Sequence, residues 1–267
     1  MDDDSVVKTF NWHDLPEHPA VLFASMRRSG KTHMLGHILH ALHRNEKFAW
    51  DVCLLFSETS TVQNSFRYIP KGFHYPKLEN DVITNMLTKQ QESIDRWRKF
   101  GKPPNRRPAR VLVILDDVIS SKQLYYSPPL ISLFTQGRHS HVSIFLLSQS
   151  LVGAVPPNIR SNCDMLCFWR QPSFNYRKDI VDNYLTMQRD KKIAHAFMDK
   201  VWDKPYKCLC IFVSQSQHAV RLTDFCYSYL APEEEPPSFR LGHGMFWSKP
   251  TKEKSSVNSK DYTIETS

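Results

Sequence analysis

The chain has 267 residues, of which 41% are hydrophobic, 23% charged and 12% aromatic, and a formal net charge of +8. This is the composition of a soluble globular protein long enough to bury a real core, and no apolar run approaches the roughly 20 residues that would span a bilayer. The positive charge points to an anionic partner, with nucleic acid first.

The opening residues, MDDDSVV, are acidic and lack the charged-then-apolar pattern of a secretory signal, so residues 1–18 read as an N-terminal extension of an intracellular protein. The first predicted strand covers Ala20–Ala24 and runs into "ASMRRSGKTH". This matches the end of a phosphate-binding loop, in which backbone N–H groups wrap the phosphates, a lysine reaches the terminal ones and a hydroxyl binds Mg²⁺. Gly30, Lys31 and Thr32 supply that end, and Ser25 fills the slot of the first glycine. A small residue serves in that slot if its φ stays negative. Ser25, Met26, Arg27, Arg28, Ser29, Gly30, Lys31 and Thr32 together form the expected nucleotide cradle, with the two arginines at its rim facing phosphate or a neighbouring subunit.

A helix over Thr32–Arg44 should follow, its N-terminus favouring anions and its Met34, Leu35, Ile38, Leu39 and Leu42 stripe facing the core. His33, His37 and His40 then lie on the outer face. The spacing of His33 and His37 mimics a zinc-protease helix, but Met34 stands where the catalytic glutamate would be, which argues against a metal there.

Further strands are predicted at Val52–Phe56, Val111–Leu115, Val142–Leu147, Met165–Trp169 and Cys208–Val213, with helices over Val82–Phe100 and Asp179–Val201. Strands that are apolar throughout, alternating with helices, indicate a doubly wound α/β domain. Between them, GKPPNRRPAR (101–110) reads as a solvated basic connector, with DNA contact through Arg106 and Arg107 as the alternative. Six cysteines (Cys53, Cys163, Cys167, Cys208, Cys210, Cys226) mostly fall in apolar stretches and read as buried free thiols; a zinc site from Cys163, Cys167, Cys208 and Cys210 departs from C-x₂-C spacing.

"RVLVILDDVI" (110–119) ends a buried strand in two acids: Asp116 to hold the metal and Asp117 to activate water as general base. The strand of 142–147 ends in Ser148, Gln149 and Ser150, where Gln149 is placed to sense a γ-phosphate or position water. Arg138 precedes that strand, on the edge opposite its own site, and reads as a finger supplied in trans; Arg160 in "PPNIRSN" is the second candidate. From about residue 232 the chain, APEEEPPSF and then Lys- and Ser-rich, reads as an extended or disordered tail.

"MRRSGKT", "VILDDV", "GRHSHVSIFLLSQS" and "VPPNIRSNCD", in that order across roughly residues 19–225, resemble the poxvirus-type genome-packaging ATPases of large DNA viruses, virophages and large transposons, within the FtsK–HerA superfamily. The resemblance implies a P-loop NTPase fold of the RecA-like (ASCE) kind in residues 19–231: a mainly parallel central sheet flanked by helices. It also implies a hexameric ring that uses ATP and Mg²⁺ to drive double-stranded DNA into a preformed capsid, in contact with capsid or vertex proteins at the viral assembly site in host cytoplasm or nucleus. By position, Lys31 and Thr32 match the phosphate and Mg²⁺ contacts, Asp116 the metal-holding acid, Asp117 the water-activating acid, Arg138 the finger and Gln149 the sensor. Asp117 stands where much of the superfamily has glutamate. Two alternatives stay open: a helicase or recombination ATPase, and a nucleotide-gated DNA-binding scaffold with little hydrolysis.

Overall fold

The computed structural model describes residues 6–58, 65–103, 107–118, 122–149 and 155–247. Eight strands form one sheet: β1 (Ala20–Ala24), β2 (Val52–Ser57), β3 (His74–Tyr75), β4 (Val111–Asp116), β5 (Val142–Ser148), β6 (Met165–Trp169), β7 (Cys208–Phe212) and β8 (Cys226–Tyr229). Their order is β3-β2-β4-β5-β1-β6-β7-β8, so β5 lies between β1 and β4. From β3 to β6 every pairing is parallel; β7 runs antiparallel to both β6 and β8.

The longer helices are α1 (Lys31–Leu42), α2 (Asn80–Lys99), α3 (Pro128–Gln136), α4 (Phe174–Tyr184) and α5 (Lys191–Val201). Alternate residues of each strand feed two cores. Ala20, Leu22 and Ala24 join Ile83 of α2, Leu133 of α3, Ile180 of α4 and Met198 of α5 on one face. Val21 and Phe23 join Leu35, Ile38, Leu39 and Leu42 of α1 on the other. Burial on both faces is why these strands are apolar at every position.

The predicted helix over Asp179–Val201 is two. Asp190 caps α5, its side chain accepting the Lys192 N–H at 2.8 Å. The chain therefore doubles back between β6 and β7 and returns to the carboxyl edge of β6, which obliges β7 to run the other way. Cys208 at the start of β7 accordingly faces Trp169 at the end of β6. α3, β3 and β8 complete the architecture beyond the predicted elements.

Both ends of the described chain pack on the α1 side of the sheet. Near the N-terminus, Phe10, Trp12 and Leu15 are buried in that core, and the Phe10 N–H donates to the Ser228 carbonyl at 2.9 Å. Residues 232–247 are extended, apart from one short turn at Gly244–Phe246, and they lie along α1 as a strap. The ring of Phe239 stacks on Tyr68 with 4.6 Å between centroids, and Leu241 is buried. The strap's carbonyls meet the outward histidines: Pro232 with His33 Nε2 at 2.7 Å, Glu234 with His37 Nε2 at 2.8 Å. Residues 248–267, the remainder of the expected tail, lie outside the described residues.

Candidate functional site

β1 delivers the chain to the loop of residues 25–30 at the carboxyl edge of the sheet, and α1 begins at Lys31. The turn is made by two left-handed residues, Arg28 (φ 59°) and Gly30 (φ 87°). Ser25 is not among the residues of positive φ, so its slot needs no glycine. Gly30 is constrained twice: a Cβ there would be strained by φ and would sit 3.3 Å from Tyr206 Cδ1.

Lys31 is 7% exposed and folds back on its own loop, donating from Nζ to the carbonyls of Ser25 (2.7 Å) and Met26 (3.0 Å). Burial lowers its pKa, and the charges of Asp117 and Asp116 partly offset this. The hydroxyls of Ser25 and Ser29 are buried and have no hydrogen-bond partner among the described residues. Unsatisfied buried donors are costly and rare, so a loop that holds two of them beside a lysine ammonium fits an anion rich in acceptor oxygens.

The acid pair comes to the same edge on β4. Asp116 is 7% exposed, and its Oδ2 accepts from Ser57 Oγ at 2.9 Å. Desolvation by burial raises its pKa to about 6, with Asp117 adding to the rise and the Ser57 bond and Lys31 opposing it. Asp117 is exposed and takes φ 52°, its N–H held by the Leu147 carbonyl at 3.2 Å. From the end of β5, Gln149 donates from Nε2 to Asp117 Oδ2 at 2.7 Å and accepts from Arg27 Nε at 2.8 Å. Arg27, Gln149 and Asp117 therefore form one hydrogen-bonded line between the phosphate loop and the acid pair. Register places β1, β4 and β5 level at this edge, with Ala24 opposite Ser148 and Asp116 opposite Leu147.

Arg138 and Arg160 are elsewhere. Arg138 pairs through Nη2 with Asp164 Oδ1, whose other oxygen accepts the Ala20 N–H at 2.9 Å, so it sits at the amino ends of β1 and β6. Its side chain is 56% exposed. Arg160 donates to the Tyr184 hydroxyl at 2.8 Å and lies over that ring. In the 101–110 loop, Arg107 is held by both oxygens of Asp51 at 2.7 and 3.3 Å, while Arg106 lies outside the described residues, as does Ser150. Of the outer histidines of α1, His33 and His37 direct their Nε2 atoms to the strap's carbonyls while their rings meet edge to face at 4.8 Å, and His40 packs on Phe239.

Three participants escaped the motif reading. Ser57 closes β2 beside Asp116, and a polar residue ending an otherwise apolar strand was its only signal. The bond from Arg27 to Gln149 and the Tyr206 ring over Gly30 depend on loop paths with no periodic signature.

The chain matches a family model, described as Poxvirus A32 protein, over residues 7–227. The chain belongs to that family. Among relatives, the uncharacterized protein 088R of Invertebrate iridescent virus 3 is 24% identical over 198 residues, covering 74% of this chain and 71% of its own length. The uncharacterized protein 015R of Frog virus 3 (isolate Goorha) is 23% identical over 179 residues, 67% of this chain, which spans about half (52%) of that relative. Among solved structures, B204, the DNA-packaging ATPase of Sulfolobus turreted icosahedral virus, superposes with a TM-score of 0.52 at 14% identity, over 82% of this chain and all of that one. The pCW3 conjugation coupling protein TcpA superposes at 0.53 and 14% identity, over 81% of this chain and 60% of that one. At such identities the likeness speaks for the fold: a P-loop ATPase sheet with flanking helices. Among the described residues no helix is long and apolar enough to cross a membrane.

Proposed function

We propose that this member of the A32 family is an ATP-hydrolysing motor that moves double-stranded DNA into a preformed viral capsid. The observation that carries the reading is the line Arg27–Gln149–Asp117, which joins a lysine-bearing phosphate loop to an acid pair at one sheet edge. Family membership and the DNA-packaging role named for the similarly folded B204 support the choice of cargo.

In this reading the triphosphate lies over the loop N–H groups at the start of α1, and the orphan hydroxyls of Ser25 and Ser29 donate to its oxygens. Lys31 exchanges its bonds to the Ser25 and Met26 carbonyls for the β- and γ-phosphates. Thr32 and Asp116 present the hard oxygen donors that suit Mg²⁺, with Ser57 orienting Asp116; when bound, the ion neutralises charge on the phosphate oxygens. Asp117 takes a proton from water as the water oxygen bonds to the γ-phosphorus, the bond to the bridging oxygen breaks, and ADP leaves with its electrons. Gln149 positions that water. Arg138, from the amino edge of a neighbouring subunit, stabilises the charge that develops, with Arg160 the second candidate.

The working assembly is a homo-oligomeric ring, a hexamer, gripping phosphates without regard to sequence through its basic surface and docked to a capsid or vertex protein in the infected cell. Residues 19–231 form the ATPase unit, on which the N-terminal segment and the strap are laid.

The test is phosphate release with and without linear duplex DNA. Duplex should stimulate turnover, Lys31→Ala should abolish it, and a strand-displacement assay should find the duplex moved without unwinding. Full turnover in Lys31→Ala, or indifference to duplex, overturns the reading; unwinding moves the chain to the helicase class.

A further inference from the structure

Beneath the first turn of α1, three thiols converge from two strands. Cys167 on β6 is directly opposite Cys210 on β7, and Cys208 is two residues along β7 on the same side of the sheet. Their sulfurs lie 3.8 Å (Cys167 to Cys210) and 3.4 Å (Cys208 to Cys210) apart, with all three within 4.8 Å of one another. A fourth sulfur joins from α1: Met34 Sδ is 3.8 Å from Cys208 Sγ. The cysteines are fully buried and Met34 is 2% exposed.

We propose that these four sulfurs are a binding site for one soft closed-shell cation, Cu⁺ ahead of Zn²⁺. A metal–sulfur bond of about 2.3 Å in tetrahedral geometry places neighbouring sulfurs about 3.8 Å apart, the separation of two of the three measured pairs. The donors are thiols and a thioether, with no nitrogen or oxygen among them, and such a set selects Cu⁺ or Zn²⁺ over harder ions; the thioether favours Cu⁺. All six cysteines are buried free thiols, as expected from the sequence, and Cys163 is not part of this cluster. Cys163 bonds instead to the Ile159 carbonyl at 3.4 Å, and the fourth sulfur comes from a helix far away in sequence. Each cysteine–metal bond replaces an S–H bond whose proton leaves to solvent, and no electron is transferred. Because the site is sealed, the ion enters as the chain folds, and it ties β6 and β7 to α1, the helix that begins with Lys31.

The test refolds the full chain from guanidinium, reduced and without oxygen, in Cu⁺, in Zn²⁺ or in neither, followed by desalting against a chelator and elemental analysis. One Cu⁺ per chain is expected, with a higher thermal midpoint than the metal-free protein. Cys208→Ala and Cys210→Ala should lose the ion, whereas Cys53→Ala and Cys226→Ala, buried thiols elsewhere, should keep it. X-ray absorption on the wild-type protein should find a sulfur-only shell, which keeps the test decisive if a variant fails to fold. Retention of Zn²⁺ alone with that shell upholds the site and reassigns its ion. No retained metal, a nitrogen or oxygen shell, or equal retention in Cys208→Ala and Cys210→Ala overturns the proposal.

Discussion

Asp117 holds an uncommon backbone conformation, φ 52°, with its N–H fixed by Leu147 and its carboxylate by Gln149. Aspartate and asparagine enter this left-handed region at far lower cost than longer side chains, because a short polar group bonds locally. That supplies a physical reason for an aspartate at this position, where the superfamily resemblance leads one to expect a glutamate. Asp117→Asn should therefore fold normally and bind nucleotide, with kcat reduced by about 10² to 10⁴; a variant with unchanged kcat would remove Asp117 from the reaction. Asp116 gives a pH signature. Burial raises its pKa to about 6, so the fold favours the neutral acid over the ionised one. Ionised Asp116 then costs stability above that pH, and the cost fades as pH falls toward the unfolded value near 4. Metal binding needs the carboxylate, so turnover at sub-saturating Mg²⁺ should fall as pH drops through about 6, while this group's contribution to stability rises. Parallel pH series of turnover and thermal midpoint check the opposed signs, and turnover flat down to about pH 5 would contradict them. That Lys31, Asp116 and Gln149 share one edge was legible because each follows an apolar strand of a parallel sheet. Ser57, Arg27's bond and Tyr206 were not, since each acts across a loop or between neighbouring strands.

At the scale of elements, the strap shows where composition misleads. APEEEPPSF has no period, yet Phe239 and Leu241 anchor it, and Gly36 lets it come close: a Cβ there would meet Pro236 Cγ at 3.2 Å. Phe239→Ala removes the stack on Tyr68 and the contacts with His40 and His43. As Phe239 is only partly buried, the loss should be roughly 1–3 kcal/mol, below that of a core phenylalanine. Urea unfolding with an unchanged slope measures it, and a loss within a few tenths would mean that the strap does not stabilise α1. The main strands were readable because burial on both faces leaves a run of apolar residues. The reversal of β7 was not, because CLCIF is as fully buried as the parallel strands and only the break at Leu185–Asp190 sets its direction. β8 alternates buried and half-buried residues, and β3 is two residues long, so neither offers such a run.

For the whole molecule, the two functional ends are opposed. The phosphate loop, acid pair and Gln149 occupy the carboxyl edge of the sheet, and Arg138 with Asp164 the amino edge. A finger acting in trans makes a prediction that a surface salt bridge does not. Lys31→Ala and Arg138→Ala should each silence a uniform assembly, whereas mixing the two restores part of the turnover, because an intact loop on one subunit meets an intact arginine on the next. If mixtures stay as inactive as their components while oligomers form normally, Arg138 does not act across the interface. Strands of five to seven residues separate these edges by roughly 17–23 Å of hydrogen-bonded sheet. A body this stiff transmits displacement with little bending, so a small shift at one subunit's γ-phosphate reaches the far edge as rigid rotation. If Arg138 acts in trans, its pairing with Asp164 is the parking place it leaves when a neighbour docks. Each protomer of the proposed ring would then be a polarised lever with a receiver and an actuator, and a closed circle of such levers would have a built-in handedness for the order in which its members fire.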